Sequence, residues 1–315
     1  MSDVNDFRPN SLSHLIGQDH VREVVSTALD FAFQENVPFP HALALGPPGV
    51  GKTAIARVIS QECASGFHEC LASAISSPAE FFSVLIKAKT LDVIFFDELH
   101  VLDPAFQHAL LIAIDEGKIY LPNSNGGAPQ AIPLAKFALV GATTDEHKVI
   151  RPLVDRFKLI LRFSYYSVSE LAEIVRTRAK GLGWQIQSDV AEPIAQRSKG
   201  VPRLAIRILQ SCWRVCRAGG DHVVTRQHLE RACSLEEIDP QGLDATEQTY
   251  LRCLAEGPQR LNMLASMLGL PARTVQSVTE SFLIRSGLIT KDRNGMRMLT
   301  SKGMEHAEAR KASNS

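Results

Sequence analysis

A glycine-rich stretch beginning at Gly46 has the residue types and spacing of a phosphate-binding loop. It reads Gly-Pro-Pro-Gly-Val-Gly-Lys-Thr and fits the pattern G-x-x-x-x-G-K-[ST]. Gly46, Gly49 and Gly51 let backbone N–H groups turn toward phosphate oxygens, because glycine has no Cβ in the way. Lys52 supplies a positive charge for the β- and γ-phosphates, and Thr53 offers a hydroxyl to Mg²⁺. The stretch therefore predicts a site for a nucleoside triphosphate with Mg²⁺.

Two adjacent acids, Asp97 and Glu98, end a continuous apolar run further along the chain. A carboxylate such as Asp97 suits Mg²⁺, which prefers oxygen ligands and keeps several of its waters. Glu98 is placed to orient and deprotonate an attacking water. Two acids alone would more often mark a solvated strand end, but the phosphate-binding pattern upstream favours hydrolysis of the nucleotide.

Polar and cationic side chains in the second half of this region are weaker candidates. Thr143 and Thr144 end another predicted strand, where a hydroxyl can hydrogen-bond the γ-phosphate or the attacking water. Arg156 follows, and Arg203 stands at a predicted helix start. Surface arginines are usually solvated charges. Near a phosphate site they could instead stabilise transition-state charge, for which an arginine finger contributes about 10³–10⁵ in rate.

These residues need elements that bring several strand ends together. The apolar patterns predict strands alternating with amphipathic helices, which indicates an α/β fold with a parallel sheet and ligands at its carboxyl edge. Two β-prone stretches around a segment rich in Pro, Asn and Gly predict a projecting hairpin over residues 119–134. The predicted strands are 41–45, 91–98, 137–140 and 159–163, and the predicted helices are 19–33, 54–59, 80–89 and 103–116.

From Ser167 onward the pattern predicts helices only, up to residue 235, and therefore a small helical domain. Three further helices near 244–255, 260–268 and 272–286 precede a hairpin around Asn294-Gly295, which predicts a winged helix–turn–helix. The predicted domains are a nucleotide-binding domain (1–166), a helical lid (167–238), a winged helix (239–310) and a polar, frayed tail (311–315).

Bulk composition is that of a globular protein with real cores, at 45% apolar and 22% charged residues. Lys plus Arg equals Asp plus Glu at 34 each, so any nucleic-acid contact must come from a local patch.

No apolar run approaches the roughly 20 residues of a membrane span, and the predicted location is the cytoplasm, without membrane contact. Cys212 and Cys216 share a helix face, but reduced thiols are favoured over a metal pair.

The order of these motifs identifies a family. The chain resembles the AAA+ ATPases, and within them the RuvB family of Holliday junction branch-migration motors, over residues 7 to about 307. The motifs that carry the resemblance are Phe7-Arg8-Pro9, Leu15-Ile16-Gly17-Gln18, the Gly46 stretch, Asp97-Glu98-Leu99-His100, Leu139–Thr144, Asp155-Arg156-Phe157, Gly200–Arg203 and Arg297–Thr300.

The resemblance implies an ATPase that works as a hexameric ring and moves double-stranded DNA at recombination and repair junctions. ATP or ADP would place its adenine in a pocket around Leu15, Ile16 and Tyr166. Lys52 and Thr53 would hold the phosphates and Mg²⁺, with Asp97 and Glu98 serving the metal and the water. Thr144 matches the first sensor position and Arg203 the second, while Arg156 matches the finger that enters the neighbouring subunit's site.

The resemblance also implies macromolecular partners. The hairpin of residues 119–134 matches the element that docks on the junction-binding protein RuvA. The wing would contact the DNA backbone through Lys291 and Arg297, and Arg293 belongs to the same basic stretch, which holds one acid, Asp292. Winged helices also bind proteins, so a solvated basic rim is the alternative.

Departures from the family pattern keep other functions open. Val101 and Asp145 stand where the family usually has arginine, as does Val154 close to the finger position. These losses motivate a second hypothesis, an ATP-gated assembly or scaffold subunit with weak hydrolysis. A clamp-loader-like ATPase is a third, which the wing and the projecting hairpin argue against.

Overall fold

The computed structural model of the protein describes residues 9–121 and 129–313, with side chains as far as Glu308. The Phe7-Arg8 part of the first family motif and the predicted hairpin tip at 122–128 lie outside the described residues. The chain divides into two compact units. The first unit comprises residues 1–183 together with 200–203, and the second comprises residues 184–199 and 204–315.

A five-stranded sheet forms the centre of the first unit. Its strands are β1 (Ala42–Leu45), β2 (Phe67–Leu71), β3 (Val93–Asp97), β6 (Ala138–Thr143) and β7 (Leu159–Arg162), while β4 (Lys118–Leu121) and β5 (Gln130–Pro133) form a separate hairpin. The order in the sheet is β2-β3-β6-β1-β7, and every neighbouring pair is parallel. The predicted parallel α/β sheet is therefore confirmed.

Helices cover both faces of this sheet. They are α1 (Asp19–Gln34), α2 (Lys52–Glu62), α3 (Pro78–Lys87), α4 (Pro104–Glu116) and α5 (Arg151–Val154). The next helix, α6 (Val168–Gly181), follows β7 in the chain. Side chains of a strand alternate between faces, so Val93 and Phe95 of β3 join one core with α1 and α2, and Ile94 and Phe96 join the other with α3 and α4. The first unit is thus a three-layer α/β/α domain.

The strand order determines which loops meet at the carboxyl edge. Because β3, β6 and β1 are neighbours, the residues after these strands lie side by side. The register aligns Phe96 with Gly141, and Leu45 with Thr143. The Gly46 stretch, the two acids and the two threonines are therefore brought to one edge by the sheet itself, as ligand sites of open α/β sheets require.

His41 lies at the opposite edge and has a structural role. Its Nδ1 accepts a hydrogen bond from the backbone N–H of Leu139 at 2.9 Å. Burial, with a smaller contribution from Lys158, lowers the pKa of His41 to about 4. Protonation at Nδ1 would remove that acceptor, so the folded state favours the neutral ring.

This lowered pKa predicts an acid-sensitive step in stability. Since the unfolded-state pKa is near 6.5, the contribution is complete above that pH and is lost as pH falls from 6.5 toward 4. We expect up to about 3 kcal/mol to be lost across this window, because one pKa unit corresponds to about 1.4 kcal/mol. Thermal unfolding at a series of pH values should show a smaller decline for His41→Asn; equal declines would contradict the assignment.

The β4–β5 hairpin stem leaves the end of α4. Its strands pair antiparallel, with Ile119 opposite Ile132. Gly117 ends α4 with φ 63°, and its carbonyl accepts from the N–H of Leu134 at 2.8 Å. Ile119 is buried in the core beneath α4, so the stem is fixed to the domain.

The second unit contains short helices and a winged-helix module. Its first part has β8 (Gln185–Ile186), α7 (Ala191–Gln196), α8 (Pro202–Ala218, whose first two residues belong to the first unit), β9 (Val223–Val224) and α9 (Arg226–Leu235). The winged-helix module has α10 (Ala245–Ala255), β10 (Gln259–Arg260), α11 (Leu261–Leu268), α12 (Ala272–Thr274), a π-helical turn (Val275–Thr279), α13 (Glu280–Arg285), β11 (Ile289–Lys291), β12 (Met296–Leu299) and α14 (Ser301–Ser313).

Five elements differ from the sequence-based expectation. The prediction of helices only between Ser167 and residue 235 is wrong, because β8 and β9 pair in parallel. In the winged-helix module, β10, which joins β12, was not predicted. These pairings involve two residues per strand, too few for an alternating pattern. The prediction also lacked β2, a half-exposed edge strand, and the predicted frayed tail continues α14 to Ser313. Among residues 9–121 and 129–313, every helix is too short or too polar to span a lipid bilayer.

Candidate functional site

The Gly46 stretch forms the turn between β1 and α2. Gly49 and Gly51 have φ of 78° and 105°, left-handed values that side chains other than glycine adopt only with strain. A Cβ on Gly49 would also lie 2.9 Å from Cγ1 of Val201. α2 begins directly at Lys52, so its N-terminal N–H groups face the turn. This arrangement is the helix-terminus anion site that a phosphate chain requires.

Lys52 is folded into the turn and is only 8% exposed. Its Nζ donates to the carbonyl oxygens of Gly46 and Pro47, at 2.7 Å each. Burial lowers its pKa to about 8, with Arg203 acting in the same direction and Asp97 opposing. The Lys52 ammonium therefore lies against carbonyl groups of the loop and close to both Asp97 and Arg203.

Thr53 and Asp97 form the predicted metal site. The Thr53 Oγ1 is 3.5 Å from Oδ2 of Asp97, although the two residues are 44 positions apart in the chain. A hydroxyl and a carboxylate that converge in this way fit Mg²⁺, a hard cation that prefers oxygen. Glu98 follows in a left-handed conformation, φ 54°, with an exposed side chain. The Glu98 side chain, which is expected to orient and deprotonate water, is therefore accessible at the carboxyl edge of the sheet.

The two threonines at the end of β6 have different surroundings. Thr143 is 1% exposed; its Oγ1 accepts from the N–H of Asp145 at 3.0 Å and is also hydrogen-bonded to Nδ1 of His100 at 3.0 Å. Thr144 lies just beyond the strand and is exposed. Thr143 therefore ties the segment after Glu98 to the sheet, and Thr144 stays the predicted sensor.

Arg203 reaches the same edge from another part of the chain. Its backbone N–H donates to the carbonyl of Gly49 at 3.4 Å, and Val201 packs against the same glycine. The N–H of Tyr166 donates to the carbonyl of Gly200 at 2.9 Å. The exposed Arg203 guanidinium therefore accompanies the phosphate loop, as predicted for a second sensor in the same subunit.

The predicted adenine pocket surrounds Tyr166. Its Oη donates to the carbonyl of Val50 at 3.1 Å, and burial raises its pKa to about 12. Gly17 allows the close approach of the preceding segment, since a Cβ there would lie 2.9 Å from Cε1 of Tyr166. Leu15 packs on the same core, and Ile16 is likewise half-buried. Tyr166 and Leu15 therefore share a core with Val50 of the phosphate loop, and the role of Ile16 stays a prediction.

Arg156 has a partner that sequence reasoning missed. Its Nε donates to both carboxylate oxygens of Asp115, at 2.6 and 2.7 Å, across 41 positions of sequence. Asp115 lies in the last turn of α4 and is partly exposed, like Arg156. An acid at a helix end gave no signal, because a pairing over this separation cannot be recognised from a single sequence.

The predicted DNA contacts of the wing require a correction. Arg297 is only 8% exposed, and its Nε donates to Oε1 of Glu280 at 2.8 Å. Lys291, its cross-strand partner, places Nζ 2.7 Å from Oε2 of the same carboxylate, which is fully buried. The Tyr250 hydroxyl donates to Oε1 at 2.8 Å. Arg297 is therefore a structural residue that the basic pattern misassigned, and Lys291 already has an internal counter-charge.

Arg293 alone of the three predicted DNA contacts lies at the exposed turn of the wing. The turn is shaped by Asp292, whose Oδ1 accepts from the N–H groups of Asn294 and Met296, at 2.9 and 2.7 Å. Arg293 therefore keeps its predicted role.

Comparison with known proteins gives one family for all parts of the chain. "Holliday junction DNA helicase RuvB P-loop domain" matches residues 7–163, "RuvB AAA lid domain" matches 166–239, and "RuvB C-terminal winged helix domain" matches 240–308. The three descriptions belong to one protein family and occur here in a single chain.

Similar full-length proteins and structures agree. "Holliday junction branch migration complex subunit RuvB 2" of Synechococcus sp. (strain JA-3-3Ab) is 35% identical over 306 residues, 95% of this chain and 82% of that protein. The RuvB subunit of Rhodospirillum centenum is also 35% identical, over 95% and 84% of the two chains. The structure titled "Thermotoga maritima RuvB Holliday junction branch migration motor" superposes with TM-score 0.82 at 31% identity, over 96% of this chain and 98% of that one.

Proposed function

The chain belongs to the RuvB family of AAA+ ATPases, and from this premise we propose that it hydrolyses ATP to drive branch migration of Holliday junctions in recombination and repair. The observation that carries the proposal is the meeting of Lys52, Thr53, Asp97 and Glu98 at one sheet edge, next to the Arg203 segment. Junction DNA as the substrate is inferred from the family relationship, and ATP hydrolysis is supported by the geometry of the site.

Each residue of the site has a separate part in hydrolysis. Lys52 and the N–H groups at the start of α2 bind the phosphates, and Thr53 with Asp97 would hold Mg²⁺. When bound, Mg²⁺ supplies positive charge next to the phosphate oxygens. Glu98 orients the attacking water and accepts its proton. Thr144 and Arg203 would contact the γ-phosphate, and Leu15, Ile16 and Tyr166 would enclose the base.

Assembly and partners form the second part of the proposal. Arg156 is held by Asp115 of its own chain and would act on the site of a neighbouring subunit, which calls for a closed ring, a hexamer in this proposal. The relatives are named as subunits of a branch migration complex. A RuvA-like protein docking on the β4–β5 hairpin, junction DNA near Arg293, and a cytoplasmic location complete the proposal.

The two alternatives are not favoured. An assembly subunit with weak hydrolysis was motivated by Val101, Asp145 and Val154. Against it, Thr53 approaches Asp97 and Lys52 is held in the adjoining loop, an arrangement that supports hydrolysis. A clamp-loader-like role is not favoured either, because the lid and winged-helix matches are both to the RuvB family.

Mixed subunits test the shared site. Arg156→Ala should reduce ATP turnover about a thousandfold or more, the range of arginine fingers. Lys52→Ala should also be inactive, because it cannot hold the phosphates. Combining the two should restore turnover, since Lys52→Ala subunits donate fingers to intact Arg156→Ala sites. Turnover would be measured with four-way junction DNA present and absent.

The control is Arg151→Ala, an arginine near the finger on the same segment, 77% exposed and paired with Asp155. It should retain full turnover. Full activity of Arg156→Ala alone, or continued inactivity of the mixture, would contradict a site completed by a second subunit.

A further inference from the structure

We propose that Asp115 is the positioning residue of the Arg156 finger, which it holds by one side of the guanidinium so that the other side faces the neighbouring subunit's γ-phosphate. This inference rests on the proposed function, because it assumes that Arg156 acts on a second subunit. It assigns a role to a carboxylate that the ATP site itself does not use.

The hydrogen-bond pattern carries the inference. Both Asp115 oxygens accept from the single Nε–H of Arg156, at 2.6 and 2.7 Å. An arginine that serves only as a partner for a carboxylate commonly uses two parallel N–H groups. Here the contact uses Nε alone, so both terminal nitrogens lie outside this ion pair. Those two nitrogens form the pair of donors that matches phosphate oxygens.

Arg156 and Asp115 are both anchored to the buried core through neighbouring residues of their own segments. Arg156 lies between Leu153, which is fully buried, and Phe157, which is 5% exposed, and its N–H donates to the carbonyl of Leu153. Asp115 is two residues from the buried Ala113 on α4. The long arginine side chain is therefore the flexible part of the finger, and the carboxylate restricts it.

The position of Asp115 is unfavourable for the helix that carries it. Carbonyl groups at a helix C-terminus repel an acid, and α4 has two acids in its last turn. The second, Glu116, pairs with Lys118 at 3.0 Å and accepts from the Tyr120 hydroxyl at 3.0 Å. Because partly exposed ion pairs contribute little stability, the Arg156 contact has its effect through orientation.

The experiment changes only the subunit that donates the finger. Arg156→Ala subunits supply intact sites, and donors carry Lys52→Ala either alone or with a second change. Donors with Lys52→Ala/Asp115→Ala should support about 10- to 100-fold less turnover than Lys52→Ala donors, with unchanged KM for ATP, since a small misplacement of a catalytic group has an effect of this size. Donors with Asp115→Asn should be intermediate, because the amide oxygen still accepts from Nε.

The matched control donor is Lys52→Ala/Glu116→Ala, which removes the neighbouring carboxylate of the same helix turn and should behave like Lys52→Ala. Thermal unfolding of all donors should be alike, which separates orientation from folding. Turnover that is equal or higher with the Asp115→Ala donor would overturn the inference. Absence of turnover with the Lys52→Ala donor itself would overturn the shared-site proposal instead.

Discussion

Replacing Glu98 by glutamine is expected to leave nucleotide binding intact and to reduce ATP turnover about a thousandfold or more. Glu98 follows β3 with an exposed side chain, while the phosphates are held by Lys52 and the backbone of its loop. The substitution keeps the shape of the side chain but removes the base that accepts the proton of water. Single-turnover hydrolysis and equilibrium binding of ATP would be measured on the same preparation.

The matched control is Asp97→Asn, which changes the neighbouring acid. Since Asp97 approaches the Thr53 hydroxyl, this variant should lose its dependence on Mg²⁺ concentration in nucleotide binding, whereas Glu98→Gln should keep it. Turnover of Glu98→Gln close to that of the unmodified protein would show that another group activates the water.

Replacing Arg297 by methionine is expected to destabilise the winged-helix module by about 3–5 kcal/mol, the effect of breaking a buried ion pair by removal of one partner. Glu280 is fully buried and connects three elements through Tyr250, Lys291 and Arg297. Its burial alone would raise its pKa, but the hydrogen bonds from these three residues outweigh burial and lower it. Hydrogen exchange of amides in α10 and β12 would report the local loss.

The double variant Glu280→Leu/Arg297→Met provides the control. It should recover most of the loss, because no buried carboxylate then remains without its main partner. A lowered pKa means that the Glu280 contribution is present above about pH 4.5, the ordinary value, and is lost as pH falls through the lowered pKa. The double variant should therefore be less sensitive to acid in this range. Equal exchange in Arg297→Met and the unmodified protein would refute the structural role.

That the nucleotide-site motifs would converge could be predicted from the sequence because each motif is local. The Gly46 turn, the end of β3 and the end of β6 are each short segments whose chemistry and neighbouring pattern can be recognised directly. Their meeting at one edge follows from parallel strand order, which the alternation of helices and strands already implied. The left-handed backbone of Glu98 was not predictable, since glutamate carries no turn signal.

Pairings across long separations could not be predicted from one sequence. Asp115 and Arg156 are 41 positions apart, and Glu280 and Arg297 are 17 apart, so neither pair forms a motif. The charge count at the wing treated Arg297 as a surface cation, whereas the fold places a buried carboxylate beneath it. Composition reports how many charges a stretch carries, and only packing decides which of them face solvent.

The buried cluster of Glu280, Lys291 and Arg297 limits how strongly one subunit would attract DNA. Each phosphate contact contributes to affinity by releasing counterions, and Lys291 and Arg297 share the single carboxylate of Glu280 as an internal counter-charge, which reduces their combined charge toward DNA. A single module should therefore bind a duplex weakly and release it easily. In the ring proposed above, firm attachment would come from avidity, because several modules bound to one duplex would share an effective concentration that a lone module lacks. In such a ring, weak binding by each module would let one subunit release the duplex and rebind while the others stay bound.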